Sequence, residues 1–558
     1  MSGRRYGIMA SKKHTQGTIR SVWMISREYD GLAGAGGVKD VCRQLAETLV
    51  AATGVQVTLV LPRYGFMDAE NLGFSPLRLP PGNPDVVCAD GFNSAFDVDM
   101  NYPDEERRET VTLLQRKING VRIILLEAER FAEKLGVYTY TEEEEKKESW
   151  QRQGSGHYDY FAMNILLQKA AMDVMILLNE RPDILHLQDG HAATLAAMMR
   201  ENPGYRHYFR HSGVVVTIHN AGLGYHQEVA DLSFARAVTG LPQVLLRTSR
   251  LGSSFDPFMA AADYAVMNTV SENYARELQE TGDDARTGWL GHRLLQRGVQ
   301  LAGVTNGINP QDFDPAEPKK LGLAAAFNPL KGDLAGKRVC KEDILNDFSR
   351  KKKRTHVEQV GRLSMDVDLP LCTFIGRLTA QKGVDVLLES LDLLPKEHSR
   401  FQLLVLGSGD PELEEQLADL TESKDVRVQV CFVKGYDPAL ATRIYAAGDF
   451  FLIPSLYEPC GLTDYIAQLL GNLPIVHSVG GLVKVVDGKT GFAYDRHTPK
   501  ALAETVLEAL AVYDGEPKRI LNMQRAAVER IYAYHTWEKV MSSYFKLYDQ
   551  ALAMTCRN

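Results

Sequence analysis

Six consecutive residues, Glu458-Pro459-Cys460-Gly461-Leu462-Thr463, follow the apolar run Phe450 to Ile453 and precede Gly480-Gly481 by about one strand-helix-strand unit. A carboxylate at the end of a buried strand, beside a glycine that opens a helix, can grip sugar hydroxyls and a phosphate together. A plain turn with a helix cap is the alternative for this string taken alone. Upstream, Gly376-Arg377-Leu378-Thr379-Ala380-Gln381-Lys382-Gly383 places two cations five residues apart across a strand-to-helix turn. Fixed cations aimed at a departing diphosphate neutralise charge as it develops, and one preorganised donor of this kind is worth roughly 2.7–4 kcal/mol in the barrier. Between these two strings, Lys434-Gly435-Tyr436 follows a strand. Tyr436 is either a flat face for a nucleobase or a half-buried loop tyrosine.

The first half carries three weaker groups. Glu28 to Asp40 is a glycine-dense turn opening a helix, with Gly31, Gly34, Gly36 and Gly37. Such a turn lets backbone N–H groups approach a diphosphate, although it matches neither the dinucleotide fingerprint nor a Walker loop, and a structural turn fits it equally. Asp183 to His191 reads as a short strand ending in the polar cluster Gln188-Asp189-Gly190-His191, and Thr217-Ile218-His219-Asn220 is a second polar strand end. Polar side chains at the carboxyl ends of parallel strands face the crevice where open α/β sheets bind ligands, which casts Asp189 as a hydroxyl-gripping residue. His219 is either part of that site or a structural histidine satisfied by its neighbours.

The elements that must position these groups read as alternating strands and helices. Candidate strands are 19–26, 55–61, 121–127, 184–187, 214–219 and 265–270, then 371–376, 402–406, 428–432, 450–453 and 473–477, with helical patterns at 38–50 and 163–178. Two doubly wound α/β domains in tandem follow, in keeping with 558 residues. The stretch 315–366 is charged and weakly periodic and reads as an extended connection or insertion. Its basic run Arg350 to Arg354 reads as a solvated helix end, and the acidic run Glu142 to Glu145 as a surface feature.

With 63 Lys and Arg against 71 Asp and Glu, the net charge is −8, so a phosphate ligand must be held by local cations, and nucleic-acid binding is disfavoured. The apolar runs fall short of the ~18 residues needed to span a bilayer, so no membrane helix is expected. The N-terminus, with Arg4, Arg5, Lys12 and Lys13 among polar residues, lacks the apolar segment of a secretory signal, so the expectation is cytoplasmic. Seven widely spaced cysteines without a C-x-x-C pair argue for reduced, mostly buried thiols rather than disulfides or a zinc site.

In this order the strings resemble the bacterial glycogen synthase and plant starch synthase family of retaining glycosyltransferases. The match rests on Gly36-Gly37 with Asp40, the segments around Asp189 and His191 and around His219, Thr269 to Glu277, Thr305-Asn306-Gly307-Ile308, Arg377 to Gly383, Glu458 to Thr463, and Gly480-Gly481-Leu482. The resemblance implies the GT-B fold: two Rossmann-like doubly wound domains facing across a cleft, here 1–297 and 298–535, with 536–558 as a C-terminal helix crossing back to the first. It further implies that Arg377 and Lys382 hold the diphosphate of a nucleotide-sugar while Glu458 grips the sugar hydroxyls. Tyr436 falls where the family stacks a base, and Gly36, Gly37, Cys460, Gly461, Leu462, Thr463, Gly480 and Gly481 fall in donor-binding strings. Asp189 and His219 fall where first-domain groups meet the sugar. No dedicated nucleophile is evident among the matched residues, which implies front-face departure with retention. The donor is a co-substrate, ADP-glucose by the resemblance, and neither a metal nor another cofactor is expected. The acceptor is an α-1,4-glucan, extended at its non-reducing end; the oligomeric state is left open.

Some positions depart from the family pattern. Gly34 stands where the family has a Lys, Asn309 for an Asp, Asp464 for a Gln, and His477-Ser478-Val479 for a basic pair and Thr. Ile466 stands where many related transferases acting on lipids or small acceptors carry a second Glu, which favours the glucan synthase branch. The departures keep open a UDP-glucose donor, a non-glucan acceptor, or a catalytically weak glucan-binding homologue.

Overall fold

The computed structural model describes residues 19–80, 94–395, 400–422 and 428–555. It divides into two compact units, one built from the residues up to Met267 together with those from Ser543 on, the other spanning Asn268–Ser542. Arg4, Arg5, Lys12, Lys13, Cys88 and Cys556 lie outside the described residues.

In the first unit five parallel strands run in the spatial order Gly213–Ile218, Ile184–Gln188, Ser21–Ile25, Gln56–Pro62, Val121–Glu127. The chain builds outward from Ser21–Ile25 in one direction and then returns to its other side. The topological switch point therefore lies between Ser21–Ile25 and Ile184–Gln188, the place where such sheets bind ligands. The expected strands of this half are found with ends shifted by a residue or two. What the alternation did not predict is an antiparallel extension: Arg108–Ile118 pairs with Val121–Glu127, and Ala95–Asp99 and Ser75–Pro76 pair with Arg108–Ile118. Asn119-Gly120 turns this hairpin with φ of 46° and 87°, the left-handed pair that an Asn-Gly dipeptide supports.

The helix Tyr160–Leu177 is long and apolar enough to cross a bilayer by length and composition alone, which the search for unbroken apolar runs did not register. It is a core helix, with 78% of it buried inside the protein and Asn164, Gln168 and Lys169 among its buried residues. The C-terminal residues from Ser543 pack on the same unit: Tyr548 Oη lies 3.1 Å from His186 Nδ1, and a Cβ on Gly213 would lie 2.8 Å from the Ala551 carbonyl carbon.

The second unit holds a seven-stranded sheet in the order Val357–Gly361, Val428–Gly435, Phe401–Gly407, Leu371–Ile375, Phe450–Ile453, Leu473–His477, Phe492–Tyr494. Its six parallel strands, numbered as they occur, stand 3-2-1-4-5-6, the Rossmann order. The switch point is thus between Leu371–Ile375 and Phe450–Ile453. Both faces are buried: Cys372, Phe374, Leu403, Val405, Val430 and Phe432 enter one core, while Leu371, Ile375, Leu404, Leu406, Cys431 and Val433 enter the other. This is why the strands read as unbroken apolar runs. The stretch 315–366 is not a plain connection. It contains the 14-residue helix Ala335–Phe348 and the antiparallel edge strand Val357–Gly361, whose short, half-polar sequence gives little periodic signal. Val266–Thr269 pairs in parallel with Ala302–Gly303 through Asn268 and Thr269.

Candidate active site

In the second unit, the strands Leu371–Ile375 and Phe450–Ile453 deliver their following loops to the two sides of the switch point. Lys382 from one loop meets Glu458 from the other, Nζ to Oε2 at 2.6 Å, and Ser455 Oγ donates to the same oxygen at 3.1 Å. The carboxylate is thereby held in place with a cation alongside. Gly383, at φ 69°, makes this approach feasible, because a Cβ there would lie 2.0 Å from the Pro454 carbonyl oxygen. Arg377 is exposed on the Lys382 loop, and its Nη2 donates to Gln381 Oε1 at 3.2 Å. Tyr436 follows the strand two places away in the sheet, roughly 10 Å along it, and is 62% exposed.

The Glu458 loop is welded to the Gly480 turn. Gly481 N–H donates to Glu458 O at 2.9 Å, and Cβ atoms on Gly480 (φ 51°) and Gly481 would lie 2.0 and 2.2 Å from the carbonyl oxygens of Glu458 and Cys460. The resemblance named these glycines as donor-binding; the structure adds that they permit the close packing of two loops. Burial raises the Cys460 thiol to about 11, which marks it as an uncharged packing group.

Sequence reasoning missed the groups that hold this assembly. Lys484, buried, donates from Nζ to Cys460 O, to Gly461 O at 2.7 Å and to Gly481 O at 3.1 Å, and lies 3.0 Å from Asp464 Oδ1. Burial raises the Asp464 carboxyl to about 6 despite this ammonium. From another side, Ser271 Oγ donates to Pro459 O at 2.7 Å, Asn273 Nδ2 to Gly480 O at 3.1 Å, and Gly480 N–H to Glu277 Oε1 at 2.8 Å. The only signal for these was the string Thr269 to Glu277 itself, whose i, i+4 pair Asn273 and Glu277 shares one helix face.

In the first unit, the loops after Ser21–Ile25 and Ile184–Gln188 meet where Arg27 N–H donates to His191 Nε2 at 3.1 Å. Asp189 has φ 56° and ψ −176°, a strained conformation for a residue with a side chain, of the kind found at ligand sites and costing about 1–3 kcal/mol. Its Oδ1 accepts from His219 N–H at 2.7 Å and from Asn220 N–H at 3.4 Å, tying the two polar strand ends together. Burial raises the Asp189 carboxyl to about 8. His219 Nε2 lies 2.7 Å from Gln188 Oε1, and burial lowers the imidazole to about 3, so it is neutral.

The glycine-dense turn, which the sequence left open between an anion cradle and a structural turn, spends part of its backbone internally. Ala35 and Gly36 N–H donate to Glu28 Oε2 at 2.7 and 3.1 Å, so an internal carboxylate takes two of its amides. Gly36 and Gly37 themselves are exposed. Lys39 folds over Gly34, where a Cβ would meet its Cδ at 2.3 Å, and pairs with Asp30 at 3.0 Å and Asp40 at 2.9 Å.

Comparison with known proteins matches residues 21–291 to the starch synthase catalytic domain and 358–526 to the glycosyl transferases group 1 domain. The glycogen synthase of Aeromonas hydrophila is 30% identical over 546 residues, covering 95% of this chain and 98% of its own length. This chain belongs to the glycogen and starch synthase family of glycosyltransferases. The Streptococcus pneumoniae glycogen synthase is 29% identical, with 92% and 96% coverage. Among solved structures, the catalytic domain of starch synthase IV from Arabidopsis thaliana, bound to ADP and acarbose, aligns with a TM-score of 0.73 at 22% identity, covering 96% of this chain and all of that one. Sucrose-phosphate synthase from Thermosynechococcus elongatus aligns at 0.55 and 18% identity, with the same coverage. These two likenesses speak for the fold alone, the GT-B class of paired doubly wound units.

Within this glycosyltransferase the departures noted in the sequence each find a local partner. Asp464 has Lys484; His477 bridges strand ends through Nδ1 to Ser455 O at 2.8 Å and Nε2 to Asp495 O at 3.3 Å; Asn309 accepts from Gln311 N–H at 3.3 Å and opens a short helical turn. Gly34 makes room for the Lys39 stem. Among the described residues, no group of three His, Cys, Asp or Glu side chains is placed to hold a metal ion.

Proposed function

We propose that this glycosyltransferase transfers glucose from ADP-glucose to the non-reducing end of an α-1,4-glucan with retention of configuration. The supporting observation is the Lys382–Glu458 pair at the switch point of the second unit, 2.6 Å apart and on the same loop system as Arg377. Donor binding exchanges that internal pair for two external ones: Lys382 and Arg377 turn to the diphosphate, and Glu458 accepts from sugar hydroxyls. Arg377 offers a planar fork suited to phosphate oxygens, and Lys382 a compact charge.

In the reaction the bond from the anomeric carbon to the diphosphate oxygen breaks, and ADP departs with the bonding electrons. The acceptor hydroxyl bonds to the same face of that carbon and its proton passes to the departing diphosphate. Arg377 and Lys382 stabilise the charge that grows on the leaving group, a role in which losing one donor costs about 2.7–4 kcal/mol, or 10²–10³ in rate. Asp189, largely protonated at neutral pH, can donate to a sugar oxygen, while its backbone anchor at His219 positions that residue's carbonyl for the anomeric centre. Tyr436 stacks on the base. No metal or other cofactor takes part in this scheme.

One observation favours a second reading. Glu28 and the Asp30–Lys39–Asp40 group leave the glycine turn without a free cation, which suits a weaker or different donor such as UDP-glucose, or a non-glucan acceptor. The deciding assay measures labelled glucose entering glycogen from ADP-glucose and from UDP-glucose, with Glu458→Ala as control. Incorporation from ADP-glucose alone, abolished by E458A, is expected. Preference for UDP-glucose would establish the second donor, and no incorporation into glycogen from either would reject the first reading and leave the non-glucan acceptor to an acceptor screen.

A further inference from the structure

The second unit contains a cavity of about 600 Å³ whose lining includes Lys351, Arg362, Arg400, Phe401, Leu420 and Val428. Phe401 and Val428 are register partners at the start of two neighbouring parallel strands. The Arg377 and Glu458 loops lie at the other end of this sheet, where the strands finish. The strand Phe401–Gly407, with seven residues, spans roughly 20 Å between the two ends. At its far end Gly407 packs on the Gly376 carbonyl, from which a Cβ would stand only 2.0 Å. The cavity is therefore separate from the donor-side loops.

Its charge balance is unusual for its surroundings. Neighbouring cations have carboxylate partners: Lys352 and Arg354 share Asp347 at 2.9 and 3.2 Å, and Arg338 reaches Asp368 at 2.9 Å. Lys351, Arg362 and Arg400 have no ion pair or side-chain hydrogen bond among the described residues, yet all three line one cavity. The end of the helix Pro411–Glu422 also reaches the cavity through Leu420. A helix C-terminus contributes about half a negative charge, against three full positive ones. All three are exposed and line the same cavity, so the potential there is locally positive and suits an anion. With a net charge of −8, the chain as a whole does not supply this positive potential; it is local.

The remaining lining sets the size and character of the anion. Leu420 supplies a half-buried apolar side chain to the wall, with Phe401 and Val428 in the core behind it, and the volume lies within the roughly 300–1,000 Å³ typical of small-molecule sites. Two guanidinium groups provide forks for phosphate oxygens, and an apolar wall suits a carbon skeleton. We infer that this cavity is a second ligand site, which binds a small phosphate-bearing metabolite. Its phosphates lie against Lys351, Arg362 and Arg400, and its carbon frame rests on Leu420. The basic run Arg350 to Arg354 is thereby divided: Lys352 and Arg354 serve the fold, and Lys351 serves the ligand.

The test is calorimetric titration of the full chain with fructose 1,6-bisphosphate, alongside inorganic phosphate and unphosphorylated fructose. Saturable binding of the bisphosphate is expected, at least about 10-fold tighter than phosphate, none for fructose, and weakened by salt. The double variant Arg362→Ala/Arg400→Ala removes only exposed side chains, and unchanged thermal unfolding would show that it folds. It is expected to lose at least about 10-fold in affinity, whereas Glu458→Ala binds as the parent does. The inference is overturned by no saturation up to about 10 mM, by equal affinity in the double variant, by phosphate binding as tightly as the bisphosphate, or by displacement with ADP.

Discussion

Replacing Lys484 by Met removes one ammonium from the centre of the loop assembly while nearly preserving the length of the side chain. In the parent, that ammonium satisfies the carbonyls of Gly461 and Gly481, contacts the Cys460 carbonyl and stands 3.0 Å from Asp464, with the Tyr465 ring 4.4 Å away. Breaking a buried pair by removing one partner costs about 3–5 kcal/mol. The pH dependence makes the reasoning specific. Asp464 is raised from 3.8 to about 6, so the folded protein holds this proton more tightly than the unfolded chain does. Its contribution to stability therefore falls as pH rises from 3.8 through about 6 and is level above that. Without the ammonium the folded carboxyl moves higher still, and the decline continues to higher pH. Between pH 6 and 8 the variant should lose a further 2–3 kcal/mol or so relative to the parent, at about 1.4 kcal/mol per pH unit. Urea unfolding at the two pH values, following the transition that reports the second unit, measures this. K484M/D464N, which leaves no buried charge, should recover much of the loss and show no such pH term. A gap between K484M and the parent that is the same at pH 6 and 8 within about 0.5 kcal/mol would refute the clamp.

Two further predictions concern geometry outside the clamp. His226 points both ring nitrogens at acceptors, Nδ1 at Asp256 Oδ2 (2.8 Å) and Nε2 at Ala221 O (2.7 Å), and although burial alone would lower it, Asp256 raises it from 6.5 to about 8. A raised histidine stabilises fully below its unfolded value and loses that effect as pH climbs through the folded one. About 2 kcal/mol should therefore disappear between pH 6.5 and 9 in the parent and not in His226→Gln, read from melting temperature against pH. Gly480→Ala places a methyl 2.0 Å from the Glu458 carbonyl oxygen at φ 51°, so it should depress turnover by at least about tenfold and lower the melting temperature. Alanine at Gly36, where a Cβ meets nothing within 4 Å, serves as the tolerant comparison for packing in the same thermal assay.

The parallel strands were legible because burial on both faces leaves nothing but apolar side chains to write, as in Phe450 to Ile453 and Leu473 to His477. The antiparallel strands were not. Arg108–Ile118 alternates between buried Val111 and Leu113 and polar Thr110, Thr112 and Gln115, a period-two signal easily lost in a search for unbroken runs, although Asn119-Gly120 was there to mark the turn. Val357–Gly361 is an edge strand with one face toward solvent and disappeared into its charged surroundings. At the site, Glu458 and Lys382 were readable because strand ends at a switch point have a known use. Lys484 and Glu277 were not, since a lysine bonding to carbonyls or a glutamate capping a remote amide depends on tertiary approach and leaves no spacing in the chain.

On the proposed reading, the charge arrangement of the two switch points assigns them unequal parts in holding a donor. In the second unit, Lys382 has one carboxylate partner, and that partner has its own use for sugar hydroxyls, so the pair can open at little net loss when a diphosphate enters. In the first unit, the glycine turn has two amides on Glu28, and its nearest cation is shared by Asp30 and Asp40. A diphosphate approaching that turn meets three carboxylates, an ammonium shared by two of them, and the Arg43 guanidinium paired with Asp30 at 3.0 Å. The same backbone pattern that suggests an anion cradle in the sequence is therefore electrostatically closed by its own side chains. The grip on the leaving group then falls to Arg377 and Lys382, while the first unit contributes through Asp189, a neutral donor at a strained backbone position.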